Sequence, residues 1–251
     1  MHFVILAGIC GDFTSWGPCV VTLIRMDLQL KERVILVVGG HGLLGSAVVK
    51  RLRAEGAIAI PASRNSTDGV VMDAMSDESV DAAVASVIAE HGRIDGLVMT
   101  AATVPTITDP KLNSEPSRVL DGIDTKAMTF LRVANAVLPS MTAAGYGRVV
   151  GVSGQNASLT ANMTGSLRNA ALIIASKHLA DQVAGTGVTV NAISPGVITH
   201  TPIPDVQMGS SGQSSPDEIA DLIAFLISPL SRPLSGESIA VGHRLRGMTG
   251  L

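Results

Sequence analysis

The residues best placed to do chemistry run from Val37: Val37-Val38-Gly39-Gly40-His41-Gly42-Leu43-Leu44-Gly45, a glycine-rich turn between a β-branched run and an amphipathic stretch. Glycines at such a turn let the backbone approach a pyrophosphate, whose charge the unpaired N–H groups of the following helix stabilise. Gly40, Gly42 and Gly45 keep the G-x-G-x-x-G spacing, with Gly39 ahead of it and Leu44 inside the helix start. His41 reads as a phosphate or backbone contact. A tight turn with no ligand could carry the same glycines, but the units that follow favour a dinucleotide. After the second apolar run come Ala62-Ser63-Arg64, with no carboxylate to grip a ribose 2′-hydroxyl and a cation able to face a 2′-phosphate. NADP(H) is therefore favoured over NAD(H), with Arg64 as a solvated loop cation the plainer reading.

These residues must be held by alternating elements. Short β-branched runs near 33–38, 57–61, 69–72, 95–99, 147–152, 188–193 and 238–241 read as strands. Between them, stretches near 43–55, 76–91, 116–142, 164–185 and 216–228 carry helical spacing, as in Leu167, Ala170, Ala171 and Ile174. That alternation predicts an α/β, doubly wound domain with a seven-stranded parallel sheet over 26–251. The chain has 251 residues, 46% apolar and 16% charged, so disorder is excluded. A net charge of −3 without any basic run argues against nucleic acid. Residues 1–25 hold both cysteines, Cys10 and Cys19, and are broken by Gly11, Asp12, Gly17 and Pro18. They fit neither a signal peptide nor a membrane span, and are expected to be an extension, disordered or upstream of the natural start at Met26; packing against a neighbouring subunit is the other reading. No His, Cys or carboxylate spacing suits a metal. The run 208–215, MGSSGQSS, is expected to be a mobile loop over a site.

Over residues 30 to 245 the chain resembles the short-chain dehydrogenase/reductase family, which implies a single Rossmann-type domain. Met72-Asp73 looks like the family's acidic residue beside the adenine, and Arg93-Ile94-Asp95-Gly96-Leu97-Val98 like its fourth strand entry. Gly147 to Ser153 is similar to the strand that leads to the catalytic serine. Val190-Asn191-Ala192-Ile193-Ser194-Pro195-Gly196-Val197-Ile198-Thr199 resembles the loop that closes on the nicotinamide. The resemblance implies cofactor contacts at Asp73, Ala101, Ala102, Asn169, Pro195, Gly196, Val197 and Thr199, beside those of the glycine turn and Ser63-Arg64.

The family's Tyr-x-x-x-Lys pair is where the resemblance ends. Ala170-Ala171-Leu172, which usually follows the lysine, here follows Asn169, and four places earlier stands Gly165. Lys177 reads as an ordinary later lysine of the same helix. Tyr146, the only tyrosine, precedes the fifth strand and so lies on the wrong edge of the sheet. The family's helix asparagine aligns with Lys126, and its serine with Gly154, leaving Ser153 beside it. Hydride chemistry belongs to the cofactor, so a substituted site needs another proton donor. Ser153, Asn169 and His200 are the catalytic candidates, with Gln155, Asn156, Ser166, Arg168 and Lys126 also near the expected mouth. Asn169 could bond a ribose hydroxyl or simply pack. Arg168 points about 100° away on the helix and reads as a salt-bridge or subunit contact. Lys126 is either a new cation in the cleft or a solvated helix lysine.

Three readings stay open: an NAD(P)(H)-dependent short-chain oxidoreductase acting on a small carbonyl or alcohol, a non-redox lyase, isomerase or cyclase on the same fold, and a silent dinucleotide-binding partner subunit. The retained cofactor motifs favour the first. By resemblance the chain is expected to form a homodimer or homotetramer in the cytoplasm, with no membrane partner.

Overall fold

The computed structural model of the chain describes residues 26–101, 112, 114–160 and 162–248. The expected extension over 1–25 and the expected cofactor contact Ala102 lie outside them. The described chain opens with strand β1 (Val34–Val38), helix α1 (Leu43–Ala54), β2 (Ile58–Ser63), β3 (Val70–Val71), α2 (Asp77–His91) and β4 (Gly96–Met99). It continues through α3 (Pro116–Ile123), a π-helical segment (Asp124–Met128), α4 (Thr129–Ala144), β5 (Gly147–Val152), α5 (Met163–Gln182) and β6 (Val188–Pro195). Two short strands, β7 (Val197–Ile198) and β8 (Gln213–Ser214), precede α6 (Pro216–Ile227) and β9 (Ser238–Val241).

The sheet is parallel throughout, in the order β3-β2-β1-β4-β5-β6-β9, so the seven expected strands and their doubly wound arrangement are as the sequence predicts. Strand periodicity sorts the core between two faces. Along β1, Val34, Leu36 and Val38 join α2, α4 and α5 through Val84, Phe130, Val137 and Leu172. Ile35 and Val37 join α1 and α6 through Val48, Leu52, Ile219 and Ile223. With both faces covered, the strands read as continuous apolar runs, and a parallel sheet requires that. Strand order reverses between β1 and β4, which opens a crevice beyond their carboxyl ends.

Helix ends follow local chemistry. Ser76 accepts a hydrogen bond from the Ser79 N–H at the start of α2, and Ser215 with Glu218 forms a capping box on α6.

Two expectations are corrected. The single helix expected over 116–142 is divided by the π-helical segment, where Thr125 Oγ1 donates to the Asp121 carbonyl at 2.8 Å and Thr129 Oγ1 to the Lys126 carbonyl at 2.9 Å. Hydroxyls bonding back to the preceding turn widen it, and such bulges concentrate at functional sites. The run 208–215 is not all loop: Gln213 and Ser214 pair with Val197 and Ile198, and Ser215 caps α6. The close crossing of Gly212 with Gly242, and of Gly196 with Ser211, admits no side chain at either glycine and fixes this segment beside β6.

Candidate active site

The glycine turn occupies the crevice between β1 and β4. Gly39 has φ +81°, and a Cβ there would stand 2.7 Å from both the Ala101 N and Thr100 Oγ1. Only glycine lets β1 pass this close to the chain leaving β4. Gly42 caps α1 with no side-chain hydrogen bond, leaving the helix's first N–H groups facing the crevice. The Gly42 position is otherwise open, with only the Gly39 carbonyl within reach of an added Cβ.

A cavity of about 720 Å³ runs over these ends. Its wall contains Gly39, His41, Gly42, Leu44, Gly45, Ser63, Arg64, Asp73 and Ala101, each a contact expected from the sequence. His41 Nδ1 and Ser63 Oγ lie 3.3 Å apart, and Arg64 is exposed beside them. Asp73 accepts from the Met75 N–H at 3.0 Å, which holds its carboxylate near the wall. Thr100, Thr125, Thr129 and Ile198 complete the wall. Of the expected nicotinamide loop, Pro195 ends β6 and Gly196, Val197 and Thr199 bond to Val241, Gly212 and Ser214, while their neighbour Ile198 reaches the wall. His200 is exposed beyond them and stands outside the wall.

Outside this wall is a buried polar cluster. Ser153, at the carboxyl end of β5, donates through Oγ to the Asn169 carbonyl at 3.0 Å. Asn169, 3% exposed, donates from Nδ2 to the Gly165 carbonyl at 2.8 Å, and its Oδ1 has no partner among the described residues. Its carboxamide lies against Gly154. Asn156 approaches Gly165, Ser166 bonds back to Leu159 and Asn162, and Gln155 donates to the carbonyls of Val241 and His243. These three residues serve local structure.

The residue that sequence reasoning undervalued is Lys126. It lies on the π-helical segment with its chain neighbours Thr125 and Thr129 on the cavity wall, yet it is only 5% exposed. Its Nζ donates to the Ser153 carbonyl at 3.1 Å, and no carboxylate pairs with it among the described residues. Burial, and secondly the Arg168 guanidinium, push its pKa down to about 7. Arg168 is itself half-buried, with Nε and Nη1 unpaired among the described residues, so of the salt bridge or subunit contact expected of it, the salt bridge is not formed there. The signal for Lys126 was in the helical register: Phe130, Val133, Ala134 and Val137, four to eleven residues on, are all fully buried, which places Lys126 on the same inward stripe.

Tyr146, the only tyrosine in the chain, lies on the opposite edge of the sheet. Its ring is held between the guanidiniums of Arg33 and Arg148, 4.1 and 4.5 Å from its centroid, and burial raises its pKa. Lys177 is exposed and donates to the Gly236 carbonyl, away from the cavity. No group of metal-ligating side chains occurs among the described residues, and no helix among them is long and apolar enough to cross a membrane.

Comparison with known proteins agrees with this architecture. The chain is 25% identical to 3-oxoacyl-[acyl-carrier-protein] reductase FabG of Vibrio cholerae, over 85% of its own length and 97% of the relative's. It is 30% identical to the short-chain reductase protein NovJ of Streptomyces niveus, over 84% of this chain and 93% of that one. Among solved structures, the crystal structure of gox2181 superposes with a TM-score of 0.76 at 25% identity, covering 86% of this chain and 96% of that one. A crevice at the switch point of a parallel sheet, these relatives, and a match of residues 47–243 to the family model described as Enoyl-(Acyl carrier protein) reductase lead to one assignment: the chain belongs to the short-chain dehydrogenase/reductase family.

Proposed function

We propose that this protein is an NADP(H)-dependent short-chain oxidoreductase with a substituted proton relay, acting on a small carbonyl or alcohol. The observation that carries it is the uncapped N-terminus of α1 facing a cavity that Ser63, Arg64 and Asp73 also line. The residues present fit a dinucleotide: Gly42 leaves room where a pyrophosphate would meet free N–H groups, and a Cβ at Gly39 would collide with the neighbouring strand end. Gly39 to Gly45 would hold the pyrophosphate, Ser63 and Arg64 a 2′-phosphate, and Asp73 with Ala101 the adenosine. Asn169, Pro195, Gly196, Val197 and Thr199 would border the nicotinamide end, with Ser153 nearby. When bound, the cofactor supplies or accepts the hydride. Relatives named as 3-oxoacyl-[acyl-carrier-protein] reductases make a 3-oxoacyl thioester the first substrate to try.

Calorimetric titration tests the cofactor choice. Wild-type protein is expected to bind NADPH more tightly than NADH, and Arg64→Ala to weaken NADPH by about tenfold, or about 1.4 kcal/mol, while leaving NADH unchanged. Equal weakening of both would remove Arg64 from the 2′-phosphate site, and binding of neither would defeat the oxidoreductase reading.

The reading includes a homo-oligomer. Helix α5 presents Met163, Leu167 and Ile174 to solvent, 50%, 43% and 56% exposed, and Leu120 of α3 is 67% exposed. An apolar stripe of this kind is supported by burial against a second copy. Ile174→Glu is expected to shift the light-scattering mass toward that of a monomer, and an unchanged mass would place the interface elsewhere.

A further inference from the structure

We infer that Lys126 is the acid of this site, its ammonium, held on the Ser153 carbonyl just behind Thr125 and Thr129 of the cavity wall, donating the proton to the oxygen of the substrate carbonyl. The inference rests on the oxidoreductase reading and adds to it the missing proton donor. Three observations converge on it. The only tyrosine of the chain is held on the far edge of the sheet, so the family's usual donor is absent from this cavity. Lys126 is buried where the π-helical turn meets the end of β5, and one of its three protons is used, on the Ser153 carbonyl. No acid neutralises it among the described residues, and burial without a counter-charge makes an ammonium readier to give up a proton.

The surroundings tune it. Helix α5 brings Arg168, whose charge opposes a second cation nearby. Helix α4 brings Arg132, already tied to Asp77 and to Asp124 of the π-helical segment, each at 3.2 Å. Helix α3 carries Arg118 and Asp121, both exposed, and the end of β5 offers only Ser153. The segment's own carboxylate is thus engaged by Arg132. Near neutral pH the ammonium is therefore a much stronger acid than an ordinary lysine, which titrates at 10.5.

The step balances with the reduced dinucleotide as hydride source. Hydride adds to the carbonyl carbon and the C=O π pair moves onto oxygen. One Nζ–H bond breaks as the O–H bond of the alcohol forms. The neutral amine left behind regains its proton from solvent.

Two measurements test this, one of them independent of any cofactor. The folded protein gives up the Lys126 proton near pH 7 and the unfolded chain near 10.5, so the unfolded state binds more protons between these values. Wild-type stability should therefore rise with pH across that window relative to Lys126→Met, which lacks the titrating group. Identical pH slopes in the two proteins would overturn the inference. The second measurement follows reduction of S-acetoacetyl-N-acetylcysteamine by NADPH. Lys126→Met is expected to lower kcat by about a hundredfold or more while NADPH affinity, read by calorimetry, stays within about threefold of wild type. Wild-type kcat should fall as pH rises through about 7, and Lys126→Arg, which remains protonated, should lose that fall. A Lys126→Met enzyme that binds NADPH and keeps wild-type kcat, or a wild type that binds NADPH but leaves this thioester unreduced, would overturn the assignment. Failure of the wild type to bind NADPH would instead defeat the oxidoreductase reading itself.

Discussion

Gly42→Asp is expected to weaken NADPH binding by at least about a hundredfold, about 3 kcal/mol, with little change in the folded protein. The backbone at Gly42 has φ −75° and ψ 174°, an extended conformation that any residue adopts, and an added Cβ meets only the Gly39 carbonyl oxygen, at 3.3 Å. Aspartate is also a good helix N-cap, so it would occupy the same first-turn N–H groups that a pyrophosphate needs. Its charge would face the phosphates at close range as well. Gly42→Ala separates the two effects, because it adds the Cβ without the charge or the cap and should cost about tenfold at most. Calorimetry on both variants, with thermal unfolding as the control for folding, checks the expectation. Near wild-type affinity in Gly42→Asp would mean that no phosphate meets this turn.

Asp95→Ala is expected to cost about 3 kcal/mol of folding stability without touching the cavity. Asp95 stands at the amino-terminal edge of the sheet, 5% exposed, where one carboxylate joins three partners. Its Oδ2 accepts from the Val34 N–H at 2.9 Å and from Arg93 Nε at 2.8 Å, and its Oδ1 from Arg33 Nη1 at 3.0 Å. Loss of the carboxylate leaves a β1 N–H unpaired at the edge and releases two cations. Because Arg93 is 53% exposed and Arg33 30%, solvent recovers much of their share, which keeps the estimate near the lower end for a broken buried pair. Asp95→Asn, which retains an acceptor for Val34, should recover part of the loss. Denaturant unfolding gives the number, and a cost below about 1 kcal/mol would show that the three bonds contribute little.

The same edge holds the chain's only tyrosine. Tyr146 follows α4 and precedes β5, so chain direction alone places it at the amino-terminal ends of the strands, with Arg33, Asp95 and Arg148. Parallel strands send every carboxyl end the other way, to the glycine turn, Ser153 and Asn169. This division was legible in the sequence because β-branched runs and helical periodicity are strong over whole elements. All seven strands of the main sheet and the helices α1, α2, α5 and α6 fall where the spacing predicts.

What escaped the sequence is short or depends on distant crossings. Strands β7 and β8 hold two residues each and form only because the chain returns past β6 after the 199–212 loop. The π-helical segment has the composition of the α-helices on either side, and threonine hydroxyls bonding backward accompany its wider turn. Lys126 is hard to read from sequence for a different reason. Lysines are solvated so often that residue type outweighed register, although its spacing to Phe130 and Val133 placed it on the buried stripe. On the cavity wall, Gly39, His41, Gly42, Leu44, Gly45, Ser63, Arg64 and Asp73 are residues that the sequence singles out as contacts, since backbone turns line the cavity there and their glycines are visible as letters, whereas Met72, Thr100 and Ile198 are not.

The most direct test of the account is isotopic. NADPH carrying deuterium at the transferable position of its nicotinamide is incubated with the wild-type protein and S-acetoacetyl-N-acetylcysteamine, and the product is examined by mass spectrometry and NMR. The account predicts one deuterium on the carbinol carbon of a 3-hydroxybutanoyl thioester, with matching loss from the cofactor. A protein that binds the labelled cofactor while the thioester stays unreduced and unlabelled would contradict it.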